Sequence, residues 1–109
     1  MSLYSKSVAA MENKDVDQLM SLYHADYQFV RHQSKSTMSR EELYEMMKAM
    51  LSNDAVVRKD SRCIYENDDI VVEHMHMDFP DGSSEAVLAV HTIKEGLFFR
   101  SETGATPLK

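Results

Sequence analysis

Four polar residues stand inside runs of otherwise apolar, strand-forming sequence: Arg31, Glu73, His91 and Arg100. An imidazole such as His91 exchanges a proton near neutral pH, and a carboxylate such as Glu73 can orient it or share the proton. Glu73 and His91 are therefore the candidate acid–base pair, with Arg31 and Arg100 as candidate ligand-binding cations. An ordinary structural reading stands beside this one. If Asn67-Asp68 is a two-residue turn, Glu73 lies directly opposite Arg62, and the two form a cross-strand charge pair of the kind common on sheets.

The run His74-Met75-His76-Met77-Asp78 puts two imidazoles and a carboxylate on one face of a strand, with successive same-face residues about 7 Å apart. These are good zinc ligands. Ile70 and Val72 share their face, however, which suits a partly exposed sheet surface equally well. No HExxH pattern is present, so no metal is assigned, and nothing in the sequence calls for a cofactor. The nine methionines are the oddest feature of the composition. Met46, Met47, Met50, Met75 and Met77 fall on inward-facing positions, where adaptable thioethers line a pocket for an apolar or aromatic ligand or simply fill a core. The single cysteine, Cys63, forms no intramolecular disulfide and reads as a small buried hydrophobe of a reducing cytoplasm.

Those residues need elements to carry them. Tyr4, Val8 and Met11 repeat at helical spacing and predict a first helix ending at Glu12-Asn13-Lys14. A second follows, capped by Asp15 with Gln18 three residues on, and with Val16, Leu19, Met20 and Tyr23 on one face; it runs to about His24–Asp26. From Tyr27 the period changes to two, giving a first strand through Arg31 and His32, and the polar residues 33–38 read as a loop. Ser39 with Glu42 forms a capping box for a third helix, whose stripe is Leu43, Met46, Met47, Met50 and Leu51. Four strands complete the chain: Val56 to Glu66, Ile70 to Phe79, Ser84 to Lys94 and Leu97 to Thr103, in a meander with turns at Asn67-Asp68, Pro80-Asp81-Gly82 and Glu95-Gly96. The fold class is α+β in one domain spanning residues 1–109.

The phrase KDVDQLMSLYHADYQFVRH (Lys14 to His32), an acidic-capped helix leading through a Leu-x-x-Leu-Tyr stretch and an Asp into a strand, resembles the nuclear transport factor 2-like, or SnoaL-like, superfamily of the cystatin-like fold. So does EGLFFRSE (Glu95 to Glu102), a Gly-centred hairpin into a last strand carrying an Arg. The resemblance covers nearly the whole chain. It implies three helices packed on a curved antiparallel sheet around a cone-shaped pocket, with Tyr23 at the end of the second helix pointing its hydroxyl to the cavity mouth. With Arg31 and Arg100 from their apolar strand surroundings and Met47 and Met75 from their inward-facing positions, Tyr23 completes the set of candidate ligand-binding residues. Ketosteroid isomerase chemistry requires a carboxylate base and a neutral acid in an oxyanion hole. With Tyr23 and Asp26 aligned to the superfamily's Tyr and Asp, the base position falls at or near Arg31 and the acid position at Val90 or His91. Neither is a carboxylic acid, so that mechanism is rejected.

Composition excludes other classes. With 18 acidic against 12 basic residues and a net charge of −6, the chain repels a phosphate backbone, and its one basic cluster, Arg58, Lys59 and Arg62, is broken by Asp60. Nucleic acid is not an expected partner. No apolar run is long enough for a signal or a membrane span, and the expected location is cytoplasmic. The later strands are apolar on both faces: Val71, Met75 and Met77 on one side and Ile70 and Val72 on the other, then Leu88 and Val90 against Val87, Ala89 and Ile93. A sheet with helices on one side leaves its other face to a partner, and a homodimer is the simplest one. The leading expectation is a homodimeric domain binding a small apolar or aromatic molecule. A proton-transfer enzyme (isomerase, cyclase or dehydratase) and a protein-interaction module are the alternatives, since one fold hosts all three.

Overall fold

The structure is a computed structural model and describes residues 2–108. Helix α1 (Leu3–Glu12) starts at Ser2, whose hydroxyl accepts from the Ser5 amide, and α2 (Val16–Met20) starts at Asp15, whose carboxylate accepts from the Gln18 amide at 3.0 Å. Each cap satisfies an amide that the helix itself leaves unpaired. α2 stops at Met20, before the expected His24–Asp26, and strand β1 (Tyr23–Arg31) begins four residues ahead of the expected Tyr27. Arg40 supplies the reason. Its guanidinium donates to the carbonyls of Met20 (2.7 Å) and Tyr23 (3.2 Å), capturing acceptors at the helix end, while the Phe98 amide donates to the Leu22 carbonyl at 2.9 Å and begins the sheet there. Tyr23 is thus a strand residue and not the end of a helix.

Residues 33–38 were expected as a loop, yet β2 (Ser36–Ser39) pairs antiparallel with β1 from Arg31↔Ser36 to Gln28↔Ser39. Its Ser-Thr-Met-Ser sequence lacks apolar alternation because it is an edge strand with no residue fully buried. Helix α3 (Arg40–Leu51) follows directly, with both arms of the Ser39–Glu42 capping box formed and with Leu43 and Met47 buried. Then come β3 (Val57–Glu66), β4 (Ile70–Asp78), β5 (Ser84–Lys94) and β6 (Leu97–Leu108). β6 runs past the expected Thr103 because residues 104–108 continue to pair with β5, up to Ser84↔Leu108.

The six strands form one sheet in the order β2-β1-β6-β5-β4-β3. Neighbours pair antiparallel except β1 and β6, which run parallel; they meet across the whole length of the chain, so no hairpin dictates their direction. The β5–β6 hairpin turns on Glu95-Gly96, both at positive φ (56° and 76°), as a two-residue type I′ turn requires. β3 is the other edge, and its register with β4 shifts between Lys59 and Arg62 and again between Cys63 and Tyr65, with Asp60 at φ 54°. Bulges of this kind bend a strand and raise its twist. They also correct two expectations. Arg62 lies opposite His74 and not Glu73, and Cys63 is exposed on this edge strand instead of buried.

The helices cover one face of the sheet, and the core between them is Ala10, Leu19, Met20, Tyr23, Tyr27, Leu43, Met47, Val71 and Phe98. α1 is fastened to the edge strand β3 by the Tyr4 amide on the Glu66 carboxylate and by the Tyr4 and Ser61 hydroxyls, each at 3.2 Å. Among the described residues no helix is long and apolar enough to cross a membrane.

Two substitutions test the third helix. Ser39→Ala removes one arm of the capping box and is expected to lower stability by about 1 kcal/mol in denaturant unfolding. Met47→Asp puts a charge at a position only 8% exposed, and a loss of roughly 3 kcal/mol or failure to fold is expected, measured by thermal melting; an unchanged melt would contradict the packing of this helix.

Candidate functional site

A cavity of about 740 Å³ lies between the helices and the covered face of the sheet. Its walls are mostly apolar: Val8 and Met11 from α1, Leu43, Met46, Met47 and Met50 from α3, and Met75, Met77, Phe79 and Val87 from the sheet side. Glu12, Lys14, Arg31, Gln33, Ser34 and Asp54 are exposed lining residues and form its mouth. Six of the nine methionines of the chain line it, so the methionine-rich composition is concentrated at this space.

The polar residues of the interior gather in one place. β4 alternates strictly, and its buried positions are Val71, Glu73, Met75 and Met77. On β5 the residues paired with that face include Ala89, opposite Glu73, and His91, opposite Val71; Ser101 of β6 is in turn opposite His91. Glu73 is 5% exposed, His91 8% and Ser101 0%. The Glu73 carboxylate accepts from Arg58 Nη2 at 2.9 Å through Oε1 and lies 3.1 Å from His91 Nε2 through Oε2. On the other side of the ring, His91 Nδ1 is 2.5 Å from Ser101 Oγ, which accepts from the Tyr27 hydroxyl at 2.6 Å.

Donor counting orients the chain. Ser101 receives the Tyr27 proton, which leaves its own proton for Nδ1 of a neutral His91 with its hydrogen on Nε2, facing the Glu73 carboxylate; a protonated imidazole instead donates at both nitrogens, to Ser101 and to Glu73. Burial alone would push the Glu73 carboxyl up. The hydrogen bond and charge of His91 and the guanidinium of Arg58 outweigh that and hold it below the usual glutamate range. The two tyrosines go the other way: burial, with Glu73 beside it, raises the Tyr23 hydroxyl well above its ordinary value, and burial beside Tyr23 does the same to Tyr27. Both phenols are therefore neutral hydrogen-bond donors.

Tyr23 differs from Tyr27 in one respect. Its ring packs edge-on against Tyr27 at 4.6 Å and against Phe98 at 5.0 Å, but its hydroxyl has no hydrogen-bond partner among the described residues. No solvent-inaccessible side-chain nitrogen or oxygen lacks a partner, so this hydroxyl must open onto the cavity that Tyr23 lines. Glu73 and Arg58 are its charged neighbours.

Of the residues singled out in the sequence, Tyr23, Met47, Glu73, Met75 and His91 all line the cavity. Arg31 is exposed at the mouth, with its guanidinium 5.9 Å from the centre of the Phe29 ring. Arg100 is outside the cavity. The pairing of β5 with β6 shifts between Thr92 and Ile93, so Phe98 and Ser101 both face inward while Arg100 turns to the uncovered face, donating to Gln28 Oε1 at 3.0 Å. A one-residue shift exchanges the faces of a strand, and here it places a serine where an arginine was expected. Sequence reasoning also missed Arg58, Tyr27 and Ser101 as members of the polar network. For Ser101 the Glu95-Gly96 turn is a usable signal that the bulge then cancels; for Arg58 no local signal exists, because its reach to Glu73 depends on the bulged course of β3.

His74, His76 and Asp78 lie on the face of β4 opposite the cavity. The two imidazoles are 5.5 Å apart edge to face, His76 Nδ1 is 3.0 Å from Asp60, and Asp78 is engaged by Lys59 at 2.8 Å and by the Ser84 hydroxyl at 2.6 Å. Among the described residues no three His, Cys, Asp or Glu side chains gather as a metal site.

The depressed Glu73 carboxyl makes a pH prediction. A group whose value is lowered by folding stabilises the fold above its unfolded value and loses that contribution as pH falls through the folded one. The wild-type chain is expected to lose stability progressively as pH drops below about 4.5, the ordinary glutamate value, and Glu73→Gln is expected to flatten that part of a plot of melting temperature against pH.

Comparison with known proteins agrees with this architecture. No curated protein matches the chain. Among solved structures it is similar to an NTF2-like protein of unknown function from Mesorhizobium loti (TM-score 0.82, 10% identity, 95% of this chain and 88% of that one). It is also similar to an NTF-2-like protein of unknown function from Burkholderia xenovorans LB400 (0.80, 12%, 98% and 82%). A third is a hypothetical protein with a ketosteroid isomerase-like fold from Catenulispora acidiphila, in complex with trimethylamine (0.66, 14%, 93% and 82%). Identities this low speak for the fold alone. The family model is more direct, because the SnoaL-like domain matches residues 4–101, and the chain belongs to that SnoaL-like domain family.

Proposed function

We propose that this protein binds a small apolar or aromatic organic molecule in the cavity between its helices and its sheet. The observation that carries the reading is a cavity of about 740 Å³ with methionine- and aromatic-rich walls and one cluster of polar groups, which is the usual make-up of a small-molecule site. Apolar walls supply affinity and a few placed polar groups supply orientation. The complex of a ketosteroid isomerase-like protein with trimethylamine supports the reading only to the extent that this fold accommodates a small organic compound elsewhere. We place the protein in the cytoplasm as a homodimer. The uncovered face of the sheet carries Val72, Leu88 and Val90, with Leu88 46% exposed, and a second copy covering it accounts for the two apolar faces of β4 and β5.

One observation favours turnover as a second reading: the Glu73 carboxylate lines the cavity with His91 and Arg58 hydrogen-bonded to it, and its oxygens keep lone pairs free to take a proton from a bound carbonyl compound. The work is then proton transfer beside a carbonyl, with Glu73 taking and returning the proton, His91 orienting Glu73, and the neutral Tyr23 hydroxyl donating to the carbonyl oxygen.

Binding is tested with Nile red, a neutral apolar dye. Its fluorescence is expected to rise on mixing with the protein, and Val87→Phe, which adds bulk to the lining, is expected to weaken that binding at least about tenfold with an unchanged circular dichroism spectrum; no binding by the wild type sinks the reading. Turnover is tested by following deuterium incorporation beside the carbonyl of 2-acetylnaphthalene in heavy water by NMR. Exchange above the buffer rate that disappears in Glu73→Gln supports an enzyme, and exchange equal to buffer leaves binding alone. Sedimentation is expected to give a mass about twice 12.5 kDa, and a monomer would remove the proposed partner.

A further inference from the structure

The interior of the cavity is unequal in what it offers a ligand. Both ring nitrogens of His91 are engaged, the Tyr27 proton goes to Ser101, and each Glu73 oxygen has a partner, Arg58 for one and His91 for the other. Donors remain. A guanidinium has five N–H groups, and Arg58 directs Nε to Met75 Sδ at 3.2 Å and one Nη2 hydrogen to Glu73. Its other three have no partner among the described residues. Arg58 is a cavity-lining residue whose side chain is 18% exposed, and since no inaccessible nitrogen lacks a partner, its Nη1 is open. The Tyr23 hydroxyl, also without a partner, opens onto the same space.

Resting on the small-molecule reading, we infer that the ligand is an amphipathic carboxylate: an aromatic or otherwise apolar body carrying one acid group, with the acid held by the free edge of Arg58 and by the Tyr23 hydroxyl. Guanidinium and carboxylate match as a two-point fork, which a ketone or ether oxygen cannot reproduce. A cationic head group meets the opposite situation, because the one deeply buried carboxylate is already shared between Arg58 and His91. The remaining acidic lining residues, Glu12, Asp54 and Glu85, do not reverse this preference. None is buried, Asp54 is paired with Lys14, and charges in contact with water are screened where the interior pair is not. At the mouth Arg31 has no carboxylate partner among the described residues, so an incoming anion first meets an unpaired cation. Deeper in, aromatic rings and methionine sulfurs make favourable contacts, which suits an aromatic body.

Isothermal titration of the wild-type protein with 2-naphthoate, 2-acetylnaphthalene and 2-naphthylmethylamine compares one body with an anionic, a neutral and a cationic head. Naphthoate is expected to bind at least tenfold more tightly than either of the others. Equal or tighter binding of the ketone or the amine overturns the inference while leaving the pocket reading intact, and failure of all three together with Nile red overturns both. Tyr23→Phe removes the hydroxyl and little else. It is expected to weaken naphthoate roughly tenfold, the usual effect of losing a hydrogen bond to a charged group, and by at least about fivefold more than it weakens naphthalene, which has the same body and no polar group. An equal loss for both probes would assign Tyr23 to packing and overturn its part in holding the acid.

Discussion

Burying the Glu73 carboxylate is the constraint around which the interior is organised. An ionised carboxylate taken out of water is strongly unfavourable unless charge and hydrogen bonds replace the water it loses. Here the replacements come from two other strands: Arg58 from β3 and His91 from β5. His91 in turn needs Ser101 of β6, and Ser101 needs Tyr27 of β1. One buried charge therefore links five of the six strands, and the pairing registers that bring these side chains together are coupled to one another.

The same network determines the character of the cavity. Because its members satisfy one another, the interior presents few open polar groups despite containing a carboxylate, an imidazole, a guanidinium and two phenols. What stays open is the unshared edge of Arg58 and the hydroxyl of Tyr23, both donors. Methionines surround them, and flexible thioethers adapt to the shape of an apolar body more readily than branched side chains do. Shape is left adaptable, whereas the polar end is fixed by a rigid sheet.

Sheet irregularities decide which residues take part. The shift at Thr92/Ile93 brings Ser101 inside and sends Arg100 out, and the shifts along β3 send Arg62 to His74 while Arg58 lies along the inner face to reach Glu73. A bulge inserts one residue and reverses the faces of everything beyond it, so each such position changes the chemistry of the site without changing the fold. Arg40 does similar work on the helical side, where its two bonds to the Met20 and Tyr23 carbonyls end α2 early and turn Tyr23 into a strand residue that lines the cavity.

The elements with local causes were legible in the sequence. The Ser39–Glu42 capping box, the Asp15 cap, the apolar stripe of α3, the Glu95-Gly96 turn and the alternation of β4 each depend on residues a few positions apart, and each has its expected counterpart in the structure. From them followed the α+β class, the family resemblance, and the inward placement of Glu73, Met47 and Met75. The early end of α2, the edge strand β2, the exposure of Cys63 and the membership of Arg58, Tyr27 and Ser101 in the site were decided only in three dimensions. Each depends on a contact between distant segments or on a register shift, and a period of two carries no mark of where an extra residue will be accommodated.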